Sequence, residues 1–146
     1  MTQIYLTDSP QKTQALAGKL IGPVSKQNLI CLYGELGSGK TTFIQGLAQA
    51  LSIKEKVISP TFILMREYQI SYKLQVTSYK FFVHIDCYRI ESEKDIKGID
   101  FAELWQDKRN LVVIEWADRI KKILPKERLD ICFTHIDEKT RKITVF

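Results

Sequence analysis

The chain has 146 residues, of which 45% are hydrophobic and 27% charged, and its formal net charge is +5. That length suits one domain, residues 1–146, that buries roughly two-thirds of its unfolded surface without disulfide support. No apolar run approaches the roughly 18 residues of a membrane span, and the modest basic excess permits an RNA or acidic partner without requiring one.

The first residues, MTQIYLTDSPQ, lack a basic start followed by an apolar stretch, so a cytoplasmic location with no membrane partner is expected. Met1 to Leu6 reads as a short strand. SPQKTQALAGKLI then reads as an amphipathic helix, with Ser9 as its cap, Pro10 in the first helical position and Gly22-Pro23 as its stop. Leu29 to Tyr33, LICLY, is a continuous apolar run of strand length, and Thr41 to Leu51 carries apolar residues at helical spacing. The order is strand, glycine loop, helix.

From Val57, VISPTFILMREYQI and YKLQVTSYKFFVHIDCYRI are two β-rich stretches joined by a polar turn, which predicts antiparallel strands. DIKGIDFAELWQD has irregular helical character, LVVIE at Leu111 to Glu115 is another buried-strand run, and ADRIKKIL reads as a short helix ended by Pro125. The tail LDICFTHIDEKTRKITVF alternates like a hairpin turning near Glu138 to Thr140. Cys31, Cys87 and Cys132 form no CxxC pair and are expected to be reduced core residues.

The loop between LICLY and the following helix, Gly34-Glu35-Leu36-Gly37-Ser38-Gly39-Lys40-Thr41, fits G-x-x-x-x-G-K-[ST]. Its glycines let the backbone wrap closely around phosphates, with amides pointing inward and a helix N-terminus adding positive potential. Lys40 is expected to reach the outer phosphates and the Thr41 hydroxyl to ligate Mg²⁺, with Thr42 assisting nearby.

Hydrolysis needs more than this loop. Two apolar strands end in acids, VHID at Asp86 and LVVIE at Glu115, and if both run parallel to LICLY their ends share the loop's edge of the sheet. Glu115 is the better metal-side carboxylate, acting directly or through water, while Asp86 suits orienting an attacking water or supporting the metal shell. Each acid is also explained by a residue that merely leaves a strand. His84 and Asp86 share a strand face and make a conceivable metal pair, but without a third ligand packing explains His84 as well. Thr61, in SPTF, is a candidate γ-phosphate sensor, though a plain turn at the start of a strand explains Pro60 equally. Trp105, Trp116 and the Phe81-Phe82 pair read as core. The basic run from Arg119 to Arg128 reads as a solvated helix face or an RNA contact.

No ABC signature is present, and the only asparagines, Asn28 and Asn110, are each followed by leucine, so the guanine-reading asparagine-lysine-aspartate motif is absent. Asp95-Ile96-Lys97-Gly98 matches D-x-x-G, but no apolar strand precedes it.

The ordered set GELGSGKTTF, SPTF, HIDCYR, GIDFAELW and VIEWAD resembles the TsaE (YjeE) family, the ATPase component of bacterial tRNA threonylcarbamoyladenosine synthesis, from about Pro10 to Arg141. The resemblance implies an α/β, P-loop NTPase-like three-layer fold, a mixed sheet with a parallel core and extra antiparallel strands. It implies ATP and Mg²⁺ as cofactors, and an ATP site made of Gly34, Gly37, Ser38, Gly39, Lys40, Thr41, Thr42, Asp86, Asp118 and Arg141. Thr41 and Glu115 are the implied metal ligands, and Lys40, Asp86, Glu115 and Thr61 the implied catalytic set. The implied partners are the TsaD-TsaB heterodimer and, indirectly through that complex, tRNA; the transfer of the threonylcarbamoyl group itself is not performed by this family. Glu35 and Ser38 stand where the family often has aspartate and alanine, and Cys87 where leucine is usual. The rival readings are a small-molecule P-loop kinase, for which no lid-length insertion is present, and a nucleotide-gated RNA-binding module.

Overall fold

A seven-stranded mixed sheet with helices on both faces organises the chain in the computed structural model, which describes residues 2–21, 26–58, 65–71, 73 and 77–146. The elements in chain order are β1 (Gln3–Thr7), α1 (Pro10–Ile21), β2 (Leu29–Tyr33), α2 (Lys40–Ala50), β3 (Met65–Gln69), β4 (Phe81–Asp86), a 3-10 segment (Glu93–Ile96), α3 (Phe101–Gln106), β5 (Asn110–Glu115), a second 3-10 segment (Ala117–Ile123), β6 (Leu129–His135) and β7 (Arg141–Val145). The strand order is β1-β7-β6-β2-β5-β4-β3. The four central strands β6, β2, β5 and β4 are parallel, while β1, β7 and β3 run antiparallel to their neighbours. This is the expected parallel core with antiparallel additions.

Burial explains why the central strands are the most apolar. Every residue of β5 is buried, because helices cover both of its faces and no position can be left polar without a partner. Leu32, Phe82, Leu111 and Val113 pack under α1 and α2 with Leu20, Phe43 and Leu47. On the opposite face Cys31, Val83, Ile85, Val112 and Ile114 pack against Phe101 and Trp105 of α3 and Ile120. Cys31 and Cys87 are reduced and buried, and burial pushes both thiols up to about 12, as expected of core cysteines; Cys132, also reduced, departs from that expectation in being only half-buried on β6. Trp105 and Phe82 are core, as the sequence implies, while Phe81 is only half-buried at the start of β4, with the Arg109 guanidinium over its ring.

Local chemistry sets the element ends. The backbone N–H of Lys12 donates to the Ser9 hydroxyl at 3.2 Å, the expected cap of α1, while Gly22-Pro23 lies outside the described residues. The tail hairpin forms as expected, with His135 paired to Arg141 across the turn. ADRIKKIL differs from expectation. It is a 3-10 segment, broken at Ile120 (φ −123°) and preceded by Trp116 in the left-handed region (φ 56°). Pro125 forces Leu124 into extended backbone and so ends it. Asp95 of the D-x-x-G match caps the first 3-10 segment, accepting from the N–H groups of Glu91 and Ser92 at 2.8 and 3.1 Å. That motif is a local cap.

Helix α2 lies so close to α1 that a methyl group on Gly46 would sit 2.5 Å from Gln14 Cα and from its carbonyl oxygen. Gly46→Ala therefore forces backbone apart, costing about 1–3 kcal/mol and outweighing the ~1 kcal/mol that alanine gains in helix propensity. Urea denaturation should show a lower midpoint for this variant; an unchanged or raised one would refute the close approach.

Candidate functional site

Because β2, β5 and β4 are parallel neighbours, their C-terminal ends fall on one edge of the sheet, and the register aligns Leu32 with Glu115 and Glu115 with Asp86. The glycine loop leaves β2 at that edge. A cavity of about 860 Å³ opens above it, lined among others by Gly37, Gly39, Lys40, Thr41, Thr42, Asp86 and Glu115. Its far walls come from the β1–α1 junction (Asp8, Ser9, Pro10) and from the β6–β7 turn (Glu138, Lys139, Arg141).

Two glycines make the loop possible. At Gly34 (φ 144°) a Cβ would lie 2.6 Å from the Phe133 carbonyl oxygen, so any side chain would push the loop off β6. Gly39 (φ 108°) stands at the start of α2 and supplies no side-chain cap, so the first turn of the helix opens directly onto the cavity with its positive dipole end. Ser38 is buried beneath the loop, its N–H donating to the Glu35 carbonyl at 3.1 Å.

Lys40 is buried and turned onto its own loop. Nζ donates to the carbonyls of Gly34 and Glu35 at 2.5 and 2.8 Å, and it lies 4.3 Å from the centre of the Trp116 ring. Burial lowers the ammonium below the ordinary lysine range, against the opposing pull of Glu115, Asp86, Asp118 and Glu35.

Glu115 is buried and bonded through both of its carboxylate oxygens. One carboxylate oxygen, Oε1, accepts from the Thr41 hydroxyl at 2.9 Å, and the other, Oε2, lies 2.7 Å from His84 Nε2. Burial pushes this carboxyl up, but the His84 hydrogen bond and charge, the Thr41 hydroxyl and Lys40 together hold it below its ordinary value. Asp86 goes the other way: burial raises it, the Tyr88 N–H bond at 2.9 Å partly opposes, and Glu115 raises it further. Two facing acids are thus driven apart in proton affinity, a pattern typical of sites with divided roles.

The remaining sequence candidates divide. Arg141 reaches the loop, with Nη2 donating to the Gly37 carbonyl at 3.4 Å. Asp118 is exposed and lines a separate shallow hollow with Lys121 and Lys122, not the cavity, although its charge still acts on Lys40. Thr61, with all of residues 59–64, lies outside the described residues. Trp116 departs from the core reading: it is half-buried, lines the cavity and packs on Tyr88 with ring centres 5.0 Å apart. Its left-handed backbone gave no sequence signal. Arg119 donates to the Ile90 carbonyl at 3.2 Å outside the cavity, while Arg89 lines it.

Among the described residues no group of three or more His, Cys, Asp or Glu side chains stands together as a metal cluster. The pair Thr41 and Glu115, two hard oxygen donors in contact at the cavity floor, nevertheless fits Mg²⁺, which takes one or two protein oxygens and completes its shell with water and phosphate. No helix among the described residues is long and apolar enough to cross a membrane.

Similarity to known proteins extends over nearly the whole chain. The family described as "Threonylcarbamoyl adenosine biosynthesis protein TsaE" matches residues 7–143. The tRNA threonylcarbamoyladenosine biosynthesis protein TsaE of Bacillus subtilis is 36% identical over 141 residues, 96% of this chain and 82% of the relative. That of Aquifex aeolicus is 32% identical over 143 residues, 97% of this chain and 93% of the relative. The crystal structure of Bacillus subtilis YdiB superposes with a TM-score of 0.73 at 26% identity, covering 99% of this chain and 84% of that one.

The raised carboxyl of Asp86 yields a sign that can be checked. A carboxyl held above its unfolded value adds stability that is fully present below the unfolded value and lost as pH rises through the folded one. Asp86→Asn keeps the acceptor for Tyr88 N–H and removes the buried charge, so its thermal midpoint should exceed that of the parent at pH 7. The difference should vanish below the ordinary aspartate range; a lower midpoint at pH 7 would contradict the assignment.

Proposed function

The chain belongs to the TsaE family of threonylcarbamoyl adenosine biosynthesis proteins, and on that premise we propose that it is an ATPase which binds and slowly hydrolyses ATP·Mg²⁺ to support a TsaD-TsaB threonylcarbamoyl-transfer complex acting on tRNA. The observation that carries this reading is the contact between Thr41 Oγ1 and Glu115 Oε1 at 2.9 Å, at the point where a glycine-rich phosphate loop opens a helix.

In this reading the loop from Gly34 to Thr42 holds the phosphates with backbone amides and the dipole of α2, and Lys40 exchanges its loop carbonyls for phosphate oxygens. Thr41 and Glu115 hold Mg²⁺. When bound, the ion neutralises charge on the outer phosphates and helps fix the γ-phosphoryl group. Asp86, whose carboxyl is raised by burial, holds and orients the attacking water at the cavity wall. Arg141 contributes charge beside Gly37, Asp118 acts electrostatically through Lys40, and Thr61 is the γ-phosphate sensor. The junction Asp8 to Pro10 and the β6–β7 turn leave room for the nucleoside.

Slow turnover follows from the arginines. Arg119 is held on the Ile90 carbonyl, and Arg141 is shared among the carbonyls of Asp137, Glu138 and Thr140. Arg119 is thus held away from the cavity and Arg141 is already engaged, which leaves Arg89 on the cavity wall as the in-chain candidate, and phosphoryl transfer without an arginine finger is typically slower by on the order of a thousandfold. Partner binding supplies or frees that charge.

Phosphate release from ATP should be low for the chain alone and should rise with TsaD-TsaB added. Lys40→Ala and Glu115→Ala should each lower the stimulated rate by roughly a hundredfold or more. Undiminished turnover in either variant would refute the site, and labelled phosphate appearing on an acceptor instead of in solution would make the protein a kinase.

A further inference from the structure

His84 is a buried titratable group beside the cavity that the mechanism above leaves unused. It is fully buried on β4, on the sheet face covered by α2, between Phe82 and Asp86. The register places it beside Val113, one step diagonally from Glu115. Nε2 meets Glu115 Oε2 at 2.7 Å, and Nδ1 has no hydrogen-bond partner among the described residues.

Packing alone gives a poor account of this arrangement. A buried imidazole with one unpartnered nitrogen is a worse core filler than a leucine of similar size, since the orphaned polar atom is desolvated for nothing. Its one partnered atom is aimed at Glu115, whose side chain is only 3% exposed. The glutamate accepts from Thr41 through Oε1, so Oε2 needs a donor, and Nε2–H supplies it. Losing that bond removes the hold on Oε2 and weakens the orientation that keeps Oε1 on the Thr41 hydroxyl.

We propose that His84 is a positioning residue for magnesium-dependent nucleotide binding, its Nε2–H locking the Glu115 carboxylate so that Oε1 and Thr41 Oγ1 stay together as a paired oxygen site. The proposal rests on the reading of Thr41 and Glu115 as the Mg²⁺ ligands. Donors behind a metal ligand typically change metal affinity by about 10- to 100-fold when removed, which sets the size of the effect.

The test is calorimetric binding of a non-hydrolysable ATP analogue to the full chain, once with EDTA and once with Mg²⁺, comparing the parent with His84→Leu and His84→Gln. His84→Leu should bind the analogue in EDTA as the parent does and lose about tenfold or more of the gain that Mg²⁺ brings. His84→Gln, whose terminal amide can still donate to Oε2, should recover most of that gain. If His84→Leu does not fold, His84→Asn replaces it, being a methylene too short to reach Glu115. A full Mg²⁺ gain in the Leu or Asn variant, equal losses in the Gln variant, or weakened binding in EDTA as well would each overturn the proposal. A parent that shows no Mg²⁺ gain at all would instead overturn the metal reading of Thr41 and Glu115, and this proposal with it.

Discussion

Burying a carboxylate is costly unless every oxygen finds a donor, and the site is organised around meeting that demand at Glu115. The donors come from different parts of the chain: Thr41 from the first turn of α2 and His84 from the middle of β4. For both to arrive, β4 must lie parallel beside β5 in the observed register, and α2 must start where β2 ends. A slip of one residue in β4 would turn His84 and Asp86 to the opposite face of the sheet and leave Glu115 buried without its second donor.

The same face carries the main helical core, so packing and chemistry share one surface. Phe82, Val113 and Leu32 sit under α2 a step below the polar residues, and Phe43 in its first turns meets Phe133 edge-on at 5.4 Å. This apolar layer fixes the height of the helix above the sheet and so the reach of Lys40 and Thr41. The opposite face, under α3, is apolar along the middle of β2, β5 and β4, where Cys31, Val112, Ile114, Val83 and Ile85 pack.

Much of this was legible in the residues, for identifiable reasons. LICLY and LVVI are unbroken apolar runs because both their faces are covered, and the glycine loop between strand and helix is a contiguous pattern in the sequence. Ser9, Pro10 and the tail hairpin were readable for the same reason. What escaped depends on long-range placement. His84 and Asp86 look like a pair in sequence, yet His84 turns to Glu115, thirty-one positions away, and only the strand register reveals it. Trp116 looks like core by composition, and its left-handed backbone, which turns it to the cavity beside Tyr88, has no glycine or asparagine to announce it. The 3-10 character of Ala117–Ile123 is hidden because its composition suits an α-helix and only Ile120 and the flanking residues break the regular turn.

The pairing of β1 with β7 bears on how the molecule is made. Among the described residues Gln3 to Thr7 pairs with Arg141 to Val145 alone, so during synthesis β1 waits for β7. The junction that follows β1, Asp8 to Pro10, forms one wall of the cavity, and Arg141 at the head of β7 forms another. A nascent chain that stops short of β7 therefore lacks both walls in their final place, although its glycine loop is already synthesised. Closure of the sheet therefore comes late, and the cavity takes its full shape only once β7 has been made and paired with β1.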